Sequence, residues 1–306
     1  MRVAVIGGTG FVGGYLVEAL IEAGHRPSLL VRPGSEAKLQ HADECRLVTG
    51  SLSDQNSIND TVAECDAVIY NVGILRENPQ QGVTFENMQF QGVVSCVAAA
   101  REAGIKRFLL MSANGIQPPV TPYQETKYRA EQFVKNSGLR YTIFRPSVIF
   151  GDPQGKMEIA TQLDQEMIRV LVPAIGFHNG LRSANGAIML SPVFVQDVAD
   201  AFVRSLDNPA ALDQEYSLGG PRTISWTGML ECIAQAVGKK KLILPMPISL
   251  MKIAATLFDW IPVFPVTRDQ LTMLAAGNTA PDDDLRLLIN REHVPFTAKS
   301  LGYLCH

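Results

Sequence analysis

Val5-Ile6-Gly7-Gly8-Thr9-Gly10-Phe11-Val12-Gly13-Gly14 stands almost at the start of this 306-residue chain, and its reading decides the fold. The apolar run Val3-Ala4-Val5-Ile6 suits a strand buried on both faces. Leu16, Val17, Leu20 and Ile21 then recur at helical spacing, so the stretch reads as strand, glycine turn, helix. The glycines at 7, 10 and 13 each answer a need of such a junction. One permits a tight turn, one lets backbone approach a pyrophosphate, and one lets helix pack closely on strand. Free N–H groups and the helix dipole favour a diphosphate at that helix N-terminus, with Thr9, Phe11 and Val12 completing the loop around it.

Working outward, strands are predicted at 27–31, 46–49, 67–70, 107–111 and 141–144. A helix over 85–103 is stopped by Ala103-Gly104. The alternation argues for a parallel sheet with helices on both faces, an α/β doubly wound core of Rossmann type. That core is expected over 1–151, completed by 192–219. Residues 152–191 and 220–306 are expected to form a smaller C-terminal α/β lobe on the substrate or partner side. There the pattern predicts a short strand at 191–195, Asp197 capping the helix that follows, and Ser225 as a further N-cap.

Composition excludes several classes. A net charge of −3 offers no basic face for nucleic acid. The five cysteines are odd in number and scattered, which fits reduced thiols in the cytoplasm, and the five histidines do not cluster, so no metal site is expected. No signal peptide is read before the first strand, and no apolar run is long enough to span a bilayer. The apolar stretch 248–260, with the segment up to 271, is read as a helix docked on the smaller lobe. The sharper reading is contact with a partner protein or a membrane surface, which would place a cytoplasmic protein peripherally at the membrane.

Residues at the predicted strand ends carry the chemistry. Arg32 follows the second strand, where a carboxylate would bond ribose hydroxyls and an arginine accepts a 2′-phosphate. It favours NADP(H), with NAD(H) as the alternative; a solvated arginine is the plain reading. Ser51 and Leu52 end the third strand where an adenine would rest. Asn71-Val72-Gly73 ends the fourth with small groups beside which a diphosphate or ribose can pass. Tyr123 and Lys127, four apart, share a helical face. A nearby ammonium favours the phenolate, so the Tyr123 phenol is expected to be lowered toward a range useful for proton transfer. An amphipathic helix with a snorkelling lysine is the structural alternative.

Gly7-x-x-Gly10-x-x-Gly13, Tyr123-x-x-x-Lys127, Arg145-Pro146-Ser147 and Pro192-Val193-x-Val195-x-Asp197-Val198-Ala199 together resemble the extended and atypical short-chain dehydrogenases/reductases. Asn71-Val72-Gly73-Ile74-Leu75, Thr84-Phe85-Glu86 and Pro265-Val266-Thr267-Arg268-Asp269-Gln270-Leu271 resemble bacterial relatives of that family's accessory subunit of respiratory complex I. The resemblance implies a bound NAD(P)(H), with Pro146, Ser147 and Val148 among the cofactor-binding residues. It implies Tyr123 as general acid/base, Lys127 orienting the ribose, and Ser112 polarising a substrate oxygen. The family often carries two adjacent serines after the fifth strand, whereas this chain has Ser112-Ala113. Ser51 stands where relatives commonly have aspartate, and Gln89 where they commonly have asparagine. Two functions follow: an NADP(H)-dependent oxidoreductase or epimerase-like enzyme on an unidentified small molecule, or a non-catalytic dinucleotide-binding accessory or assembly protein.

Overall fold

The computed structural model describes residues 1–180, 186–251 and 268–305. The first strand, β1 (Arg2–Ile6), has Val3, Ala4, Val5 and Ile6 buried, as a strand covered on both faces requires. It is followed by α1 (Phe11–Glu22), β2 (Arg26–Val31), β3 (Arg46–Thr49), α2 (Gln55–Val62), β4 (Ala67–Tyr70), α3 (Gly92–Glu102), β5 (Arg107–Met111), α4 (Pro122–Lys135) and β6 (Arg140–Pro146). The six strands pair in parallel, and a seventh, Gln214–Leu218, joins at β6. The order from one edge is β3-β2-β1-β4-β5-β6 and then the seventh strand. The chain therefore reverses direction across the sheet between β1 and β4, the place where doubly wound sheets bind ligands beyond their strand ends. The α/β doubly wound fold read from the sequence is the fold observed.

Two compact units divide the chain. The first holds Met1–Pro146, Val195–Ser217 and Asp283–Arg291; the second holds Ser147–Phe194, Leu218–Asp282 and Glu292–His306. In the first, Ile6, Val68, Tyr70, Val93, Phe108 and Ile143 pack in one apolar cluster. The return of Asp283–Arg291 to this unit is fastened by Arg291, which pairs with Asp197 at 2.5 Å and Asp200 at 2.7 Å from the helix Val195–Leu206. Asp197, expected as a cap, thus lies buried inside the first turn with an arginine against it. The second unit has its own core around Phe150, Phe177, Trp226, Leu230 and Phe296. Its helix Trp226–Ala236 is capped as expected, the Ser225 hydroxyl accepting from Gly228 N–H at 3.0 Å.

The helix read over 85–103 is not uniform. Residues Glu86–Gln91 form a π-helical segment that passes into α3. A Cβ on Gly92 would meet the Tyr70 hydroxyl at 2.2 Å, so the missing side chain admits that ring. The hydroxyl donates to the Met88 carbonyl at 2.5 Å within the widened turn. Of the apolar stretch 248–260, only Ile248–Met251 falls within the described residues; the rest of the predicted helix, and Pro265-Val266-Thr267, lies outside them.

Candidate functional site

The turn after β1 is built as its glycines require. Gly7 has φ +99°, and a Cβ there would stand 2.8 Å from the Asn71 carbonyl oxygen at the end of β4. A Cβ on Gly13 would lie 2.1 Å from the Gly7 oxygen, so α1 can cross the turn this closely only through glycine. Gly10 is the N-cap of α1 and places no side-chain cap over the helix's first N–H groups. Beside Gly10, the space a side chain would occupy meets, among the described residues, the Gly7 oxygen alone, at the ordinary contact distance of 3.4 Å. An open cradle at a helix N-terminus suits a diphosphate in both charge and shape.

The neighbouring strand ends converge on it. Asn71 N–H donates to the Ile6 carbonyl at 2.8 Å, binding the β4 end to the β1 end. Lys127 Nζ donates to the Met111 carbonyl at 2.8 Å and reaches the Val72 carbonyl at 3.4 Å, so α4 is tied to the ends of both β5 and β4. Gly73 lies against the same ammonium; a Cβ there would be 3.7 Å from Nζ. Ser112, just past β5, is held by its N–H on the Phe144 carbonyl at 2.7 Å. Its hydroxyl is buried and has no hydrogen-bond partner among the described residues.

Local sequence fixes α4. Thr121 and Gln124 form a reciprocal capping box with Pro122 in the first turn, and Gln124 Nε2 also donates to the Gly115 carbonyl at 2.7 Å. Thr126 donates to Gln89 Oε1 at 3.0 Å, while Gln89 Nε2 donates to the Ile74 carbonyl at 2.9 Å. Tyr123 and Lys127 therefore sit on a helix anchored at three points. The Tyr123 ring meets Phe85 edge-on at 5.8 Å. Glu131, one further turn along, is fully buried and gripped by Arg145, Nε to Oε1 at 2.8 Å. Arg145 also binds Glu215.

The electrostatics depart from the spacing argument. Burial pushes the Tyr123 phenol up to about 12, where a lowered value was expected from Lys127. Spacing reveals the lysine but not the low-polarity surroundings, and desolvation governs here. Burial also pushes the Lys127 ammonium down to about 8, with Glu131 acting in the opposite sense.

The remaining sequence-predicted residues are more dispersed. Arg32 is exposed at the end of β2 and has no side-chain partner among the described residues. Ser51 bonds Ser53, 2.8 Å between hydroxyls, with Leu52 between them past β3. Pro146 ends β6, and its carbonyl accepts from Asn114 N–H at 2.9 Å. Ser147 and Val148 belong to the second unit. There the Ser147 hydroxyl donates to the Asn278 carbonyl at 2.6 Å, and the Val148 carbonyl accepts from Val193 N–H at 2.9 Å. Glu131 was not singled out from sequence, although its place four residues beyond Lys127 is a readable signal.

A dinucleotide-binding sheet with this glycine cradle defines a Rossmann protein. The family model described as NAD(P)H-binding matches residues 7–170, and the chain belongs to that family. The resemblance to the extended short-chain dehydrogenases/reductases stands with it. Among curated proteins, the chain is 27% identical over 295 residues to the "NADH dehydrogenase [ubiquinone] 1 alpha subcomplex subunit 9, mitochondrial" of Arabidopsis thaliana, covering 92% of this chain and 70% of that one. It is 24% identical over 257 residues to the "Ceramide reductase" of Caulobacter vibrioides, covering 84% and 77%. The crystal structure of gox2253 superposes with a TM-score of 0.77 at 22% identity, covering 99% of this chain and 96% of that one, and so shares the fold. Among the described residues no helix is long and apolar enough to cross a membrane, and no group of three or more His, Cys, Asp or Glu is placed to hold a metal.

Proposed function

We propose that the protein is an NADP(H)-dependent reductase of a carbonyl compound, with Tyr123, Lys127 and Ser112 as its working side chains. The observation that carries this reading is the buried, unpartnered Ser112 hydroxyl beside the strand end that anchors the Lys127 ammonium. An oriented donor left unpaired in a buried site suits a substrate oxygen. The open cradle at Gly7, Gly10 and Gly13 fits the cofactor's diphosphate, Asn71-Val72-Gly73 its neighbouring ribose, and Arg32 a 2′-phosphate. When bound, the nicotinamide supplies the hydride that goes to the carbonyl carbon. Tyr123 Oη gives its proton to the carbonyl oxygen, which stays on its carbon as the hydroxyl of the product alcohol, and Ser112 donates to that same oxygen as charge develops. A phenol raised to about 12 stays protonated at neutral pH, which suits an acid and therefore the reductive direction. Lys127 steadies the phenolate that remains and bonds the ribose.

The test pairs NADPH titration with turnover of a panel of aldehydes and ketones. Tyr123→Phe should keep NADPH affinity and lose about 10²–10⁴-fold in kcat. Unaltered turnover would remove Tyr123 from the mechanism. A second reading, a dinucleotide-binding accessory protein without turnover, is favoured by Ala113 beside Ser112 and by the likeness to a protein named as a complex I subunit. On that reading NADPH binds, no carbonyl compound is reduced, and Tyr123→Phe is silent.

A further inference from the structure

In the second unit the strand Ala174–His178 runs parallel to Ile243–Pro247, with Ala174 opposite Ile243. The residues that lead into the two strands consequently lie side by side. Ala174 N–H donates to the Leu242 carbonyl at 2.9 Å, and Lys241 Nζ donates to the Val170 carbonyl at 2.5 Å. This paired segment points its apolar side chains at water: Leu171 is fully exposed, Val172 66% and Leu242 64%, with Leu244 and Val170 also exposed. Single exposed leucines are ordinary, but five large apolar side chains on two adjoining stretches form a patch. Lys239 and Lys240 are exposed and lead directly into it. Glu166, a turn ahead of the loop, takes a hydrogen bond from Gln162 at 3.0 Å. Arg169 is committed to Asp164 and to the Leu304 carbonyl.

We propose that the loop 169–173 and the run Lys239-Lys240-Lys241-Leu242 form a docking surface for an anionic lipid bilayer. Charge complementarity selects this occupant. Branched apolar tips enter the boundary between headgroups and acyl chains, while adjacent lysines stretch back to lipid phosphates. The chain carries −3 overall, so a negatively charged membrane is approached through this local cationic edge. A side chain as exposed as Leu171 stands clear of its neighbours, and a soft medium that closes around it suits such a protrusion.

The test is sedimentation of the full chain with vesicles of phosphatidylcholine alone and of phosphatidylcholine mixed with phosphatidylglycerol. Binding is expected only to the anionic vesicles and should weaken as salt is raised. Lys239→Gln with Lys240→Gln should lower the partition coefficient roughly fivefold for each lysine. Leu171→Ser with Val172→Ser should lower it by about tenfold or more. All four positions are exposed, so Tm should be unchanged in both variants, which separates lost docking from lost folding. Equal binding to neutral vesicles, no binding to either, or binding untouched by both pairs of substitutions overturns the proposal. A chain that ignores vesicles but forms a dimer that Leu171→Ser and Val172→Ser dissolve would make the patch a self-association surface, and overturns it equally.

Discussion

Burial and charge act on Lys127 in opposite directions: desolvation pushes its ammonium down to about 8, and Glu131 pushes it back up. If the charged lysine bonds ribose and steadies the phenolate, reductive kcat/KM should be level below that value and fall as pH rises through about 8. A descending limb near 12, following Tyr123 instead, would show that Lys127 is not the controlling group. Ser112 allows a separate test. A buried hydroxyl without a partner costs about 1–3 kcal/mol, so Ser112→Ala should leave stability unchanged or raised in urea unfolding while lowering kcat. A fall in stability with turnover intact would mark the hydroxyl as structural. At the far end of the cofactor, Arg32→Ala should erase a preference for NADPH over NADH; if both affinities keep their ratio, Arg32 does not read the 2′-phosphate.

At the scale of single elements, α4 does more than present Tyr123 and Lys127 on one face. The capping box at Thr121, the Gln124–Gly115 bond and the Thr126–Gln89–Ile74 relay fix its start, and Glu131 with Arg145 fixes its middle. Glu131→Gln removes the charge that supports the Lys127 ammonium but leaves Arg145 its second partner, Glu215. The alkaline limb should move to lower pH, because desolvation then acts on Lys127 unopposed. An unmoved limb would show that Glu131 serves packing alone. The glycine turn and the strands on either side were legible because strand burial, turn geometry and helix packing are local demands written in consecutive residues. The π-helical segment at Glu86–Gln91 was not, since the Tyr70 hydroxyl that bonds its Met88 carbonyl, in the space left by Gly92, comes from another element. The Asp283–Arg291 return, made through Arg291 and the Asp197 carboxylate, was hidden for the same reason. The direction of the Tyr123 shift was misread because proximity in sequence shows a neighbouring charge and says nothing of the solvent a fold removes.

For the whole molecule, both readings of function share a bound dinucleotide and part only at turnover, so the decisive observations are thermodynamic and kinetic together. A ligand that binds the folded chain alone stabilises it by about 2.7 kcal/mol at a concentration one hundred times its Kd. NADPH should therefore raise Tm in proportion to the logarithm of its concentration in the unaltered protein and in Tyr123→Phe alike, since neither reading gives Tyr123 a large part in affinity. Gly13→Ala should abolish that rise: its methyl would lie 2.1 Å from the Gly7 oxygen, and only displacement of α1 could relieve the overlap. Such overpacking costs roughly 1–3 kcal/mol of stability, so the variant should still fold but no longer respond to NADPH. With the cofactor response held equal between the unaltered protein and Tyr123→Phe, a difference in carbonyl reduction assigns the site to catalysis. If both proteins gain the same stability from NADPH and neither reduces any carbonyl compound, the dinucleotide is a structural ligand, and the accessory reading replaces the enzymatic one.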